Sequence, residues 1–219
     1  MRSSAAILGV ALNTNIYGNA GMVPMMVLSA VPFFNVYAVL ILQFSPHTDE
    51  NGRLIPPERN GAAAVRRALV NVVKNPIILG ILLGVPFSLL RVKLPGILAS
   101  TLSTIGGTAT PVALLAVGAS FSGSEAAKCM KPALAATAIK LFILPAIFLP
   151  IAALFGFTGS AMIAILILVG SPTTVSCYVM AKNMGHRGVL TGNVVMLATV
   201  LSSVSLTLWI FLLRLFGLL

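Results

Sequence analysis

The stretch that decides the fold is residues 160–188, SAMIAILILVGSPTTVSCYVMAKNMGHRG. It begins as an apolar helix and changes character at Gly170. Pro172 has no N–H for the preceding turn, and its ring clashes with that turn, so we expect a break here. Ser171 can N-cap a second half-helix with Pro172 in its first position. Freed carbonyls must be satisfied by protein or water inside a bilayer, so the break is expected inside a helix bundle. A simple proline kink, which membrane helices tolerate, is the alternative.

Composition identifies an integral membrane protein. Hydrophobic residues make up 58% of the 219 residues and charged residues 8%, whereas soluble domains carry about 25% charged residues. Seven apolar stretches approach or exceed the roughly 20 residues that a spanning helix needs. The fold class predicted is an all-α membrane protein with seven transmembrane helices, in which residues 95–104 form a connection. The predicted helices are 3–17, 22–44, 76–90, 105–121, 132–155, 160–183 and 189–216.

The net charge of +10 would suggest nucleic acid as a partner for a soluble protein, but here basic loops flanking membrane helices explain it. Ten basic residues fall on one side of the predicted membrane and three on the other, which makes the long loop at 45–75 cytoplasmic and the C-terminus external. The membrane expected is the plasma (inner) membrane. The ten are Arg2, Arg53, Arg59, Arg66, Arg67, Lys74, Lys128, Lys131, Lys182 and Arg187, and the three are Arg91, Lys93 and Arg214.

The remaining basic residue, Lys140, lies within a predicted span. An ionisable residue inside the membrane is by default a functional candidate. The alternative is that its long side chain snorkels to the cytoplasmic face.

No enzyme motif is present in the sequence: it has no HExxH, GxSxG or Walker lysine motif and no paired carboxylates. Cys129 and Cys177 lie far apart without metal-ligand spacing. We therefore expect no catalytic residues, no metal and no cofactor.

An internal repeat appears when the sequence is shifted by 161 residues, which superimposes the first predicted helix on the broken one. The distribution of basic residues predicts that these two helices cross the membrane in opposite directions, as in transporters with inverted repeats. The identical pairs are Gly9 with Gly170, Tyr17 with Tyr178 and Ala20 with Ala181, and the polar pairs are Asn13 with Thr174 and Asn15 with Ser176.

Four segments in this order resemble the auxin efflux carrier family of membrane transporters. They are VPFFNVYAVLIL (31–42), NPIILGILLG (75–84), TPVALLAVGASF (110–121) and SPTTVSCYVMAKNMG (171–185). The resemblance implies ten helices in two inverted five-helix repeats, whose fourth and ninth helices break and cross at the substrate site. Residues 1–44 then look like the last two helices of the first repeat, 45–75 like the cytoplasmic linker and 76–219 like the complete second repeat. The first three helices of the family would be missing.

The chain departs from the family pattern in the first helix. Where the family has Arg-Ser-Asn-Thr followed by Gly-x-Pro, this chain has RSSA at residues 2–5 and GVA at residues 9–11. Ala11 therefore stands where the crossover proline is expected, and the repeat shift places it opposite Pro172.

The resemblance implies a secondary transporter that moves small organic anions, such as dicarboxylates or auxin-like acids, by alternating access. A half-helix N-terminus and spans without acidic residues also favour an anion. The predicted substrate-binding residues are Ser171, Pro172, Thr173, Thr174, Ser176, Tyr178, Asn13 and Asn15, with Thr108 and Thr110 as secondary candidates. The alternative is a truncated or degenerate carrier that does not transport; assembly as a homo-oligomer is left open.

Overall fold

The computed structural model describes residues 5–44, 94–119 and 123–219, with short pieces between them at residues 47–48, 54–55, 70, 79–80, 83–84, 86–87 and 90. Helices dominate these residues. The helical elements are α1 (Ala5–Tyr17), α2 (Val23–Phe44), α3 (Gly96–Ala119), α4 (Gly123–Lys128), α5 (Met130–Ala138), a π-helical turn (Ile139–Ile143), α6 (Leu144–Leu154), α7 (Gly159–Gly170), α8 (Ser176–Asn183) and α9 (Val189–Leu215). Strands β1 (His47–Thr48) and β2 (Leu54–Ile55) pair antiparallel.

The first, second and last predicted helices agree with α1, α2 and α9 to within two residues at either end. The third predicted helix, 76–90, lies mostly outside the described residues. Among those described, four helices are long and apolar enough to cross a membrane, and α7 is apolar but has 12 residues. The prediction of an all-helical fold therefore agrees with the described residues apart from the two-residue strands, whereas seven spans stay a prediction. The four helices are Val23–Leu42, Gly96–Ala119, Met130–Leu154 and Val189–Leu215.

The connection predicted at residues 95–104 is wrong, because α3 begins at Gly96. The error came from treating hydroxyl residues as a break. The hydroxyls of Thr101 and Thr104 each donate a hydrogen bond to the carbonyl four positions earlier in the same helix, at 2.8 and 2.9 Å. Such back-bonding satisfies the side chain without interrupting the helix.

Helix α7 forms the core of the first of two compact units into which the chain divides. It packs against α1, α6, the π-helical turn and α9. A helix that is apolar on every side is stable when it is enclosed, and here protein encloses it. The core consists of Met162, Ile163, Leu166 and Ile167 of α7 with Leu149, Ala152, Leu206 and Leu213. This unit contains Met1–Val31, Phe121–Tyr178 and Gly188–Leu219.

Pro145 accounts for the π-helical turn that precedes α6. Because proline has no N–H, the carbonyl of Leu141, four positions earlier, loses its ordinary α-helical partner. The helix widens at this point into the longer-range hydrogen bonding of a π-helix. The Leu141 carbonyl instead accepts hydrogen bonds from the Oγ of Ser205 and the Nε1 of Trp209, each at 2.9 Å. Helix α9 thus supplies two hydrogen-bond donors in place of the one N–H that the proline lacks.

The second unit consists of Pro32–Ser120 and Val179–Arg187. Its small core is built around Val39 of α2 and Met180 of α8, which are both buried. Helix α3 is largely exposed within the described residues, with Val117 as its buried residue. The side chains packed against the core pair are Ala38, Leu42 and Met184.

Removing the two donors of α9 tests their role. We expect Ser205→Ala and Trp209→Phe each to lower the free energy of unfolding by about 0.5–1.5 kcal/mol. The double variant should lose more than the sum, because only it removes both donors that α9 supplies to the Leu141 carbonyl. Denaturant titration in detergent micelles, followed by circular dichroism, measures these values.

The matched control is Ser203→Ala on the same helix. Ser203 is exposed and donates to the Val200 carbonyl of its own helix at 2.9 Å, so its loss should change the free energy of unfolding by less than about 0.5 kcal/mol. Strictly additive effects of the Ser205 and Trp209 substitutions would contradict the shared-acceptor interpretation.

Candidate functional site

The predicted break in the membrane helix lies where the sequence places it. Helix α7 ends at Gly170, and Ser171 adopts an extended conformation with φ −78° and ψ 158°. Proline disfavours the α-conformation in the residue before it, and the β-branched residues 173–175 favour extended backbone. The prediction that Ser171 caps the next helix, with Pro172 in its first position, is wrong, because α8 begins only at Ser176. Pro172 therefore ends one helix and does not start the next.

The second half-helix, α8, starts with a tight turn. The N–H of Cys177 donates to the carbonyl of Thr174 at 3.0 Å, and the N–H of Tyr178 donates to the carbonyl of Val175 at 2.9 Å. The Oγ1 of Thr174 also lies 3.8 Å from the Sγ of Cys177. These two backbone N–H groups are therefore already bonded within the chain and are not available to a ligand.

Burial divides the predicted site residues at the break into two groups. Ser171 is fully buried, and within the described part of the chain its Oγ has no hydrogen-bond partner. An unpaired buried hydroxyl costs about 1–3 kcal/mol, so this atom is free to bond to a ligand. The buried residues are Ser171, Thr173 and Tyr178, and the half-buried ones are Pro172, Thr174 and Ser176.

The π-helical turn lies beside the break. A Cβ atom added to Gly170 would stand 2.9 Å from the Cγ of Pro145, so the end of α7 directly contacts the start of α6. Lys140, within the π-helical turn, is 5% exposed, and this turn packs against α7. The predicted functional charge therefore lies inside the protein, on a segment that contacts the helix ending at the break.

Asn13 and Asn15 lie away from the break. Asn13 is fully buried, and its Nδ2 donates to the carbonyl of Asn19 at 2.8 Å. A Cβ atom on Gly21, which has φ +53°, would collide with Asn13 and with Ser160 at the start of α7. Ser160 is 11 positions before Ser171, roughly 16 Å along α7 at 1.5 Å per residue, so that point is well separated from the break. Asn15 is exposed, so the structure does not bring the two asparagines together with the hydroxyls.

Thr108 and Thr110, the secondary candidates, are exposed residues of α3. The Oγ1 of Thr108 donates to the carbonyl of Ile105 in the same helix at 2.7 Å. This bond is the local back-bonding seen along the rest of α3, so it does not mark a site.

Sequence reasoning missed Thr137, which is fully buried in α5. Its hydroxyl has no hydrogen-bond partner among the described residues. It stands three positions before Lys140, and positions three apart share a helix face. A threonine at that spacing from an intramembrane lysine was the available signal.

Both cysteines, Cys129 and Cys177, are half-buried thiols that form no disulfide within the described residues. Across the described residues, no group of three or more His, Cys, Asp or Glu side chains could hold a metal ion. The chemistry that these residues can offer to a ligand is therefore hydrogen bonding and positive charge.

Four helices of spanning length, together with an apolar helix that breaks at buried hydroxyl residues, define an integral multi-pass membrane protein. The chain belongs to the auxin efflux carrier family, because that family's model, described as membrane transport protein, matches residues 3–210. The resemblance inferred from the sequence is thus confirmed, and the chain is a membrane transport protein. No curated protein and no solved structure matches it.

The contact between Gly170 and Pro145 can be tested by adding one methyl group. We expect Gly170→Ala to lower the free energy of unfolding by about 1–3 kcal/mol, because the proline ring cannot yield to the new Cβ atom. Gly118→Ala is the matched control: Gly118 is also helical, but nothing lies within 4 Å of its added Cβ atom. That change should be neutral or stabilising by up to about 1 kcal/mol. Equal effects of the two substitutions in detergent unfolding titrations would contradict the contact.

Proposed function

We propose that this membrane transport protein is a secondary transporter that moves small organic anions, such as dicarboxylates or auxin-like acids, by alternating access. The observation that carries the proposal is the break at residues 171–175, where the backbone leaves the helix among buried hydroxyls. Many secondary transporters build their substrate site from interrupted helices at the centre of a bundle.

An anion fits the chemistry of this break better than a cation. The N-terminus of α8 carries a partial positive charge, and the buried Lys140 adds a basic group on the π-helical turn that packs against α7. The chain has four acidic residues, three within 49–58 and the fourth at Glu125, so none lies in a span. Hydroxyls such as that of Ser171 can donate to a carboxylate, which accepts hydrogen bonds on both oxygens.

The packing of α1 against α7 supports the inverted repeat that belongs to this proposal. A Cβ atom on Gly9 would lie 3.2 Å from Ile167, and one on Gly159 would lie 3.6 Å from the hydroxyl of Tyr17. The two helices therefore run antiparallel, as repeat-related helices of opposite membrane polarity should. In the proposed arrangement residues 1–44 end one repeat, 45–75 form the linker and 76–219 form the other repeat.

We further propose that the protein lies in the plasma (inner) membrane with residues 45–75 in the cytoplasm and the C-terminus outside, as the bias of basic residues indicates. Single-cysteine reporters in a Cys129→Ser, Cys177→Ser background test this. A membrane-impermeant maleimide added to intact cells should label Leu219→Cys and spare Asn60→Cys, and permeabilised cells should show both. Labelling in the reverse order would contradict the orientation.

Transport is tested with the 219-residue chain in liposomes, by uptake of a labelled dicarboxylate and a labelled indole-type acid. Removing two hydroxyls at the break with Ser171→Ala and Thr173→Val should reduce uptake about tenfold, since each lost hydrogen bond costs about 0.5–1.5 kcal/mol. The matched control is Ser203→Ala with Thr207→Val, because these hydroxyls are exposed and bond to their own helix. Its uptake should equal that of the wild type.

Two results would count against the proposal in different ways. Uptake no faster than in empty liposomes, for either anion, would contradict transport and favour the non-transporting alternative. Wild-type uptake that survives the Ser171 and Thr173 substitutions would contradict the location of the site at the break.

A further inference from the structure

One side-chain oxygen near the end of α1 is buried without a hydrogen-bond partner. Asn13 is fully buried, and within the described part of the chain its Oδ1 accepts no hydrogen bond. The orientation of the amide is fixed, because its Nδ2 donates to the carbonyl of Asn19 at 2.8 Å. Turning the amide over would set two oxygens against each other and would not pair the buried acceptor. An unpaired buried acceptor is costly, so this oxygen is a candidate ligand for a bound ion or molecule.

Two more oxygens stand at the same place, within the first unit. A Cβ atom added to Gly21 would collide with the Asn13 amide and with the Oγ of Ser160, so both side chains lie against this glycine. The Oγ of Ser160 accepts a hydrogen bond from the N–H of Met22 at 2.9 Å. Hydroxyl and carbonyl oxygens each have two lone pairs, so Ser160 and the Asn19 carbonyl can both bind a further partner. The group of three oxygens comes from α1, the turn after it and the start of α7.

The C-terminal end of α1 makes this place electronegative. Helix α1 ends at Tyr17, and the last carbonyls of a helix carry a partial negative charge. The sequences of α1, α7 and the turn at residues 18–22 contain no charged side chain. Arg214, near the end of α9, is exposed. The potential at the three oxygens is therefore set by neutral dipoles with their negative ends together.

We propose that the Oδ1 of Asn13, the Oγ of Ser160 and the carbonyl of Asn19 bind a small monovalent metal cation such as Na⁺. Neutral oxygens suit a single positive charge, whereas Ca²⁺ sites are built with carboxylates. Secondary transporters coordinate Na⁺ with unwound backbone carbonyls and the C-terminal ends of half-helices. Asn19 and Gly21 are exposed, which gives the ion a path from the surface to the buried oxygen.

This cation site is separate from the proposed substrate site and goes beyond the proposed function. Ser160 stands 11 positions before Ser171, roughly 16 Å along α7. Binding of the cation can therefore be measured without any transported anion.

The test is thermal unfolding of the purified 219-residue chain in detergent micelles. Sodium, potassium and choline chloride are compared at equal ionic strength, so that general effects of salt cancel. A cation that binds the folded state stabilises it by mass action. Sodium at about ten times its Kd should raise the Tm by about 3–6 °C over choline. Binding of radioactive sodium to the same sample gives the Kd directly.

Substitutions then locate the bound ion. Asn13→Leu, which replaces the amide with an apolar group of similar size, should remove the difference in Tm between sodium and choline. Ser160→Ala should shift the sodium dependence to higher concentrations. Thr14→Val is the matched control, because Thr14 is the next residue of the same helix and is exposed. Its difference in Tm should equal that of the wild type.

Asn13→Asp distinguishes ion binding from a purely structural amide. The carboxylate keeps oxygen ligands but loses the donor to the Asn19 carbonyl. A cation site predicts a sodium effect at least as large as in the wild type, because the ion then offsets a buried negative charge. If Asn13→Leu does not fold, Ser160→Ala is compared instead with Ser203→Ala, whose hydroxyl is exposed and bonds to its own helix.

Each outcome supports or overturns the cation site. A Tm that rises with sodium or potassium, and no longer does so in Asn13→Leu, supports the site and identifies the ion. A wild-type Tm that is equal in all three salts overturns it, and the Asn13 oxygen is then paired with water. A cation effect that survives both Asn13→Leu and Ser160→Ala also overturns it, because the ion then binds elsewhere. Failure of anion uptake in liposomes is a different result and leaves this site standing.

Discussion

Pro145 has no N–H group, and this missing donor determines the arrangement of much of the first unit. In a lipid environment a freed carbonyl must find a partner within the protein, and the Leu141 carbonyl finds two on α9, Ser205 and Trp209. These donors are four positions apart and therefore share one helix face. Their common acceptor fixes which face of α9 packs on the π-helical turn. The same widened turn buries Lys140, so a structural requirement and the position of the charge have one cause.

Pro172 has a different effect from Pro145, and the neighbouring residues explain why. Of the four residues that follow Pro145, only Ile147 is β-branched, and donors from another helix satisfy the freed carbonyl, so the helix widens and continues. Pro172 is followed by three β-branched residues, at 173–175, so the chain stays extended until α8 begins. Gly170, two residues before Pro172, leaves room for the ring of Pro145. A widened helix and a broken helix thus meet at one level of the unit.

The sequence was sufficient where local chemistry decides the outcome. The ends of α1, α2 and α9 follow from apolar runs bounded by glycine and polar residues, and the break at Pro172 follows from the geometry of proline. It was insufficient for the threonines of α3, because a hydroxyl can either interrupt a helix or donate a hydrogen bond to a carbonyl of that same helix. It was also insufficient where partners are distant in the chain: Ser205 and Trp209 stand 64 and 68 positions from Leu141. The position of Asn13 beside Ser160 depends on such distant packing too.

The departure of this chain from its family's pattern now has a structural consequence. Helix α1 runs without interruption from Ala5 to Tyr17, and Ala11 is the residue that stands in place of the family's proline. Gly9 instead allows α1 to approach α7 closely, because a Cβ atom there would lie 3.2 Å from the Cγ2 of Ile167. An unbroken α1 contributes no second half-helix terminus to a site at the break. In the proposed transporter, a site at the break therefore draws helix-dipole charge from one half-helix terminus, that of α8, and not from two facing ones.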